Sequence, residues 1–267
     1  MRVGDIELTV LCDGKSVVPG HFFGPTEGPH ADLVDEHGMI TLPIAAFLLR
    51  IGGKNVLLDA GMGPNTFVWD VPNGDRLELS GGALPRLLAE QGLLPEDIDY
   101  VMPTHLHGDH VGWLFPEGRN FFPNATIRFG EGDWEPWVEN APNPYFREGM
   151  KQARDQGRIE YIEGDGELLP GLTALATPGH SPGHMCYVIS SGTDRAIMLG
   201  DAISCPLQLQ NPEFAIAADA DPKLAMKMRD RIFKEIDGTD ALVGGPHFPE
   251  LRLGRVLMGE GRRYWSS

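Results

Sequence analysis

Thr104-His105-Leu106-His107-Gly108-Asp109-His110 follows, one proline later, the apolar run Tyr100-Val101-Met102. Between His105 and His110 it holds three imidazoles and one carboxylate. In an extended or tightly turned segment, alternate side chains point the same way. His105 and His107 can therefore reach one metal ion, while Asp109 and His110, just past the turn, can reach a second. Neutral imidazole nitrogens and carboxylate oxygens suit Zn²⁺ and neighbouring divalent first-row metals. Open α/β sheets place ligands outside the carboxyl ends of their strands, where this run would sit.

The same arrangement recurs along the chain. Leu57-Leu58-Asp59-Ala60-Gly61 and Met198-Leu199-Gly200-Asp201-Ala202 are apolar strands running into Asp; Leu242-Val243-Gly244-Gly245-Pro246-His247 runs into His. The repetition predicts two related β-rich halves that deliver polar residues at strand ends into one cleft. Short apolar runs bounded by turn residues predict strands over 6–11, 44–51, 55–58, 99–102, 125–129, 172–176, 185–189, 196–199 and 241–243. Gly52-Gly53 marks a tight hairpin between two of them. Helices are predicted after Ser80, through Leu84, Leu87 and Leu88 to a stop at Gly92, and over 145–156, stopped by Gly157. A third follows the N-cap and N1 pair Asp221-Pro222, with Leu224, Met228 and Ile232 on one face and Gly238 past its end. Alternating strand and helix signals predict an α/β fold. Residues 21–39, 62–82 and 133–144 read as long loops of the kind that border functional sites. His21, His30 and His37, isolated in the first of them, read as surface residues.

At 267 residues and 42% hydrophobic composition, the chain can bury a substantial core without disulfides, and 1–267 is expected to form a single domain. A formal charge of −16 argues against nucleic acid and against an anionic membrane surface. Cys12, Cys186 and Cys205 are too few and too scattered for a disulfide framework, which favours a reducing compartment. No secretory signal pattern follows Met1, and the longest apolar stretch, 44–51, is too short to span a bilayer. A cytoplasmic protein acting on a small molecule is the resulting expectation, and a homodimer is compatible with it.

Three further motifs join the opening run: Thr177-Pro178-Gly179-His180-Ser181-Pro182-Gly183-His184, Gly200-Asp201 and Gly245-Pro246-His247. In combination, from about Ile44 to His247, they resemble the metallo-β-lactamase superfamily of metallohydrolases. The resemblance implies an αβ/βα sandwich of two mixed β-sheets with helices on both outer faces. It implies that His105, His107 and His180 hold one metal, that Asp109, His110 and His247 hold a second, and that Asp201 bridges them. Asp59 and His184 would support the ligands from behind, a carboxylate orienting an imidazole and raising its basicity. The implied cofactor is two Zn, with Mn, Fe or Co as other divalent possibilities. A ligand set that leaves positions open for water suits a catalytic site. Water bridging two such cations loses its proton near neutral pH and becomes a nucleophile, while the metals polarise the bond under attack. Asp109 could then pass a proton to the leaving group. No Ser, His and Asp nucleophile set is needed for this chemistry.

Asp201 to Gln208, Asp219-Ala220-Asp221-Pro222 and His247-Phe248-Pro249 look like the lactonase and organophosphate-hydrolase branch. The expected activity is hydrolysis of small lactones, esters or phosphotriesters with an apolar acyl or aryl part. Acyl-homoserine lactonases often carry Tyr three residues after the bridging Asp; here Ser204 stands there, too short to span the same gap without a water. Ser204, Phe248 and Trp113 are the expected substrate contacts. Phe22, Phe23, Trp69, Phe115, Trp134 and Trp137 also lie in or beside the mouth loops. A glyoxalase II-like thioesterase and a mononuclear iron thiol dioxygenase of the same fold are the alternatives. Against the first, His110-Val111-Gly112-Trp113 lacks paired glycines; against the second, two equivalents of zinc would decide.

Overall fold

Side chains on a strand alternate between faces, and the strand Met39–Ile51 uses both of its faces for packing. Phe47, Leu49 and Ile51 enter one buried cluster; Ala46 and Leu48 enter another. The computed structural model of the protein describes residues 1–70 and 76–267. Among them the strands form a nine-stranded, a five-stranded and a two-stranded sheet. Both larger sheets are mixed, with parallel pairing between Lys54–Leu58 and Tyr100–Met102 in one and between Asp194–Met198 and Leu242–Gly244 in the other.

Three buried clusters stack as the inner layers of a sandwich. The middle one joins Phe47, Leu49, Val56 and Leu58 of the first sheet to Met185, Tyr187, Ile189 and Met198 of the second. Outside the first sheet, Leu84 and Leu88 of helix Leu84–Glu90, with Met150 and Ala153 of helix Pro144–Asp155, cover Leu48, Leu57, Val101 and Ile127. Outside the second, Ile232, Phe233 and Ile236 of helix Pro222–Ile236 cover Val188, Ile197 and Val243. Helix, sheet, sheet, helix is the expected αβ/βα order. Each fully buried Leu, Ile or Phe in it contributes about 1.5–3 kcal/mol relative to exposure.

The expected strands all form, several of them longer at one end. Ile6–Pro19 runs well past Leu11 because Asp13 and Ser16, polar in sequence, are buried with it. Gly52-Gly53 makes the two-residue hairpin, both glycines at positive φ (57° and 75°). Asn143 and Asp221 cap their helices, and Gly157 and Gly238 follow the ends. On the last helix the buried stripe is Ala225, Arg229, Ile232, Phe233 and Ile236, so the expected Leu224 and Met228 only flank it.

Several expectations are overturned. Residues 62–82 are not one loop: Thr66–Asp70 and Arg76–Ser80 pair as a hairpin at the edge of the large sheet, with 71–75 of that expected loop outside the described residues. Thr66–Asp70 is exposed throughout, so no face of it needed a hydrophobic stripe. Ser80 lies in that hairpin and caps nothing; the Asp13 carboxylate instead accepts from Leu84 N at 2.8 Å. Within 133–144, Glu135–Glu139 forms a π-helical turn. Residues 21–39 stay largely irregular. His30 is buried there, its Nε2 accepting from the Trp265 backbone N–H of the C-terminal hairpin at 3.0 Å, whereas His21 and His37 are exposed. The strands Ile159–Ile162, Gly166–Leu169, Arg255–Gly259 and Arg262–Ser266 were not foreseen. The three thiols are free, and no described helix is long and apolar enough to cross a membrane.

Candidate metal centre

The parallel pairs Lys54–Leu58 with Tyr100–Met102 and Asp194–Met198 with Leu242–Gly244 end at the same place. Past Lys54–Leu58 the chain turns at Asp59, held at φ 59°, a left-handed conformation that costs a non-glycine residue energy. The Asp59 carboxylate offsets that cost by accepting from Thr104 N at 2.7 Å and Thr104 Oγ1 at 3.0 Å, which fixes the loop leaving Tyr100–Met102. Its other oxygen lies 3.2 Å from His110 Nδ1. Gly108–Val111 then forms one helical turn. Ala60 N donates to His110 O and Gly112 N to Gly61 O, zipping this turn to the Asp59 segment. A Cβ on Gly112 would stand 2.0 Å from the Met62 carbonyl carbon, so only glycine allows the approach.

From this loop, His105 is fully buried and Leu106 enters the core, while His107 and Asp109 face a cleft of about 190 Å³. His180, Asp201 and His247 reach the same cleft from the second sheet. His107 Nδ1 and His180 Nε2 approach to 3.0 Å. His247 Nε2 stands 3.4 Å from Asp109 Oδ2 and 3.6 Å from Asp201 Oδ1. Asp201 Oδ2 is 3.5 Å from His180 Nε2 and 3.7 Å from His110 Nε2. Three sets have one ligand atom per residue, all within 4.8 Å of one another: His105, His107 and His180; His105, His110 and Asp201; Asp109, His110 and His247.

These residues fit divalent cations. The buried atoms His105 Nε2, His110 Nε2 and Asp201 Oδ1 have no hydrogen-bond partner among the described residues. Each such atom costs about 1–3 kcal/mol when left unsatisfied, and all three point among potential ligands. Burial, with the neighbouring imidazoles, lowers the pKa of His105 well below its ordinary value and that of His107 to about 4. Both rings are therefore neutral and able to donate lone pairs. For His110, burial works the other way, but Asp59, Asp109 and Asp201 raise its pKa well above the ordinary value. His247 is likewise raised against burial by Asp201 and Asp109. Burial opposes charge on Asp109 too, yet His110 and His247 hold its carboxyl well below the usual range. Asp201 is shifted the same way by His247 and His110.

Supporting contacts surround the set. His184 Nε2 accepts from Asp201 N at 3.0 Å, and its Nδ1 lies 2.8 Å from Thr177 Oγ1. His247 Nδ1 donates to Pro43 O at 2.8 Å, which leaves Nε2 toward the cleft. Sequence reasoning missed Asp133. Fully buried, it accepts from Leu106 N, Ser181 Oγ and Gly183 N, and so couples the loop of His105 and His107 to that of His180. It also missed Asp13, which accepts from Met62 N, Gly63 N, Gly82 N, Leu84 N and Trp113 Nε1. Asp13 is a single acid after an apolar run and Asp133 one of several acids with Glu131 and Glu135, so no local motif singles either out.

Two expected substrate contacts are not brought to the cleft. Trp113 is buried against Phe121 with its indole N–H on Asp13, and Phe248 packs edge-on against Trp265. Ser204 does line the cleft, its buried hydroxyl without a hydrogen-bond partner among the described residues. Phe23 lines it as well, with Val18, Leu42, Leu79 and Ile216. Phe115 and Trp137 instead line a separate apolar cavity of about 470 Å³ behind Gly108.

Residues 39–247 match the Metallo-beta-lactamase superfamily. An N-acyl homoserine lactonase of Bacillus thuringiensis is 29% identical over 208 residues, covering 74% of this chain and 78% of that one. The crystal structure of AbOPH, a hydrolase of the beta-lactamase superfamily, superposes with a TM-score of 0.81 at 25% identity, covering 99% of this chain and 95% of that one. AidC, a dizinc quorum-quenching lactonase, shares the fold with a TM-score of 0.80 at 22% identity, over 100% of this chain and 95% of its own.

Proposed function

The chain belongs to the metallo-β-lactamase superfamily and is a metal-dependent hydrolase; we propose that it opens lactones bearing a small apolar acyl group, using two zinc ions. The observation that carries this reading is that His105, His110 and Asp201, whose buried Nε2, Nε2 and Oδ1 have no hydrogen-bond partner among the described residues, each bring a ligand atom within 4.8 Å of the others beside a cleft with apolar walls. His105, His107 and His180 are read as holding one ion, and Asp109, His110 and His247 the other, with Asp201 between them. When bound, such ions supply the Lewis acidity that deprotonates water near neutral pH and polarises a carbonyl. The N-acyl homoserine lactonase relatives favour a lactone over the ester or phosphotriester also compatible with the site. The chain is read as one domain, since its middle cluster draws on residues from Val3 to Leu253.

The chain's own residues divide the work. Water adds to the lactone carbonyl carbon, the ring carbon–oxygen bond breaks, and the departing alkoxide needs a proton. Asp109 is a carboxylate at neutral pH and faces the cleft, so it can accept the proton of water and return it to that alkoxide. His247 steadies its Oδ2 between the two transfers. The Ser204 hydroxyl, which lines the cleft, would hold the substrate carbonyl through a water, and Phe23, Leu42, Leu79 and Ile216 would exclude solvent around the acyl group.

A panel of N-acyl homoserine lactones, unsubstituted lactones, aryl esters, phosphotriesters, thioesters and β-lactams, assayed on metal-quantified protein, tests this. The highest kcat/KM is expected for a short-chain acylated lactone. A thioester or phosphotriester turned over at least tenfold faster than every lactone would reject the substrate class.

A further inference from the structure

We propose that the buried pair Asp219–Arg229 is a positioning device for the metal centre, aiming His180 and tying it to the segment that carries Asp201. The inference rests on the metal-dependent reading above and not on the choice of lactone. Arg229 is fully buried in helix Pro222–Ile236, on a stripe otherwise made of Ala225, Ile232, Phe233 and Ile236. Its guanidinium is spent on three oxygens of three segments. Nε donates to Ala202 O at 2.9 Å, one nitrogen to Phe214 O at 2.7 Å, and the other to Asp219 Oδ2 at 2.8 Å.

Asp219 passes that constraint on. Its Oδ2 also accepts from Ile216 N, while Oδ1 lies 3.3 Å from His180 Nδ1. A carboxylate on Nδ1 fixes the tautomer and ring orientation that turn Nε2 into a ligand. Backbone bonds from Ala220 N to His180 O and from Asp221 N to Gly179 O lock the two loops together. One side chain therefore sets His180, the carbonyl beside Asp201 and the cleft wall at Ile216 and Ala218 in a common frame.

Burying an ion pair is a poor route to stability, since apolar replacements of similar size often fold as well or better. A positioning role and a merely structural one therefore make opposite predictions. The test compares wild type with Asp219→Asn, Arg229→Met and the double variant Asp219→Leu/Arg229→Met, each as the full chain. Zn²⁺ affinity is measured by competition with a chromophoric chelator, coordination geometry by the visible spectrum of the Co²⁺-substituted protein, and Tm without metal.

Each single variant is expected to lose about 10- to 100-fold in affinity for one equivalent of Zn²⁺. The double variant should be no worse than the weaker single, because both residues act through one path. Its Co²⁺ bands should shift while its metal-free Tm stays within a few degrees of wild type. A double variant that binds Zn²⁺ within twofold of wild type overturns the proposal, as does one that fails to fold. Wild type that binds no Zn²⁺ overturns the metal reading itself, and this inference with it.

Discussion

The two sets of candidate ligands, His105, His107 and His180 against Asp109, His110 and His247, differ both in kind and in charge. His105, His107 and His180 are all imidazoles, and burial keeps His105 and His107 free of protons well into the acid range. Asp109, His110 and His247 mix a carboxylate with imidazoles, and Asp59 and Asp201 press against them. Without a cation, protons on His110 and His247 balance those carboxylates. One half of the centre is thus ready for an ion, while the other must exchange protons for one. Asp109, the carboxylate proposed to carry protons during catalysis, belongs to the second half.

Asp109→Ala tests this contrast most severely. It should lower kcat by about 10²–10⁴-fold while metal analysis still finds about one equivalent bound by the imidazole set. Loss of all metal, or none, would erase the distinction between the halves.

Acid release of metal gives the next largest effect. A pKa raised in the metal-free fold means that protons compete for the site below that raised value, so affinity there falls as pH drops through it. A depressed pKa postpones the competition. The Asp109 set should therefore release its ion at a higher pH than the His105 set, in which burial and neighbouring imidazoles hold the pKa of His105 and His107 down. Metal content after dialysis at stepped pH reads this directly, and simultaneous loss of both ions would contradict it.

The smallest effect concerns Ser204, on the Asp201 side of the cleft. Ser204→Tyr should replace a water-mediated contact with a direct one. A net hydrogen bond of about 0.5–1.5 kcal/mol corresponds to a roughly two- to twelvefold rise in kcat/KM for acylated lactones. An unchanged or lower rate would remove that account of the short hydroxyl.

The sequence announces the two halves unequally. The central strands were readable because the middle of the sandwich demands Val, Ile and Leu on strands buried on both faces. The edge hairpin Thr66–Asp70 and Arg76–Ser80 was not, because exposure relaxes that demand. His105 to His110 is legible because the ligands are contiguous, and His180, Asp201 and His247 because turn motifs surround them. Asp13, Asp133 and the Asp219–Arg229 pair act on residues distant in sequence, so their meaning exists only after folding. His30 deceived for the same reason: its partner, Trp265, is 235 positions away.

The hydrogen bond from His247 to Pro43 has a kinetic consequence. It joins the last member of the cluster to a strand some two hundred positions earlier, so no partly folded species lacking Leu242–Gly244 can complete the centre. Such distant closures form late and slowly. Ion capture would then reward only the finished chain, with a benefit that grows with the logarithm of free metal concentration. Where the metal is scarce, the protein would be more prone to unfold as well as less active.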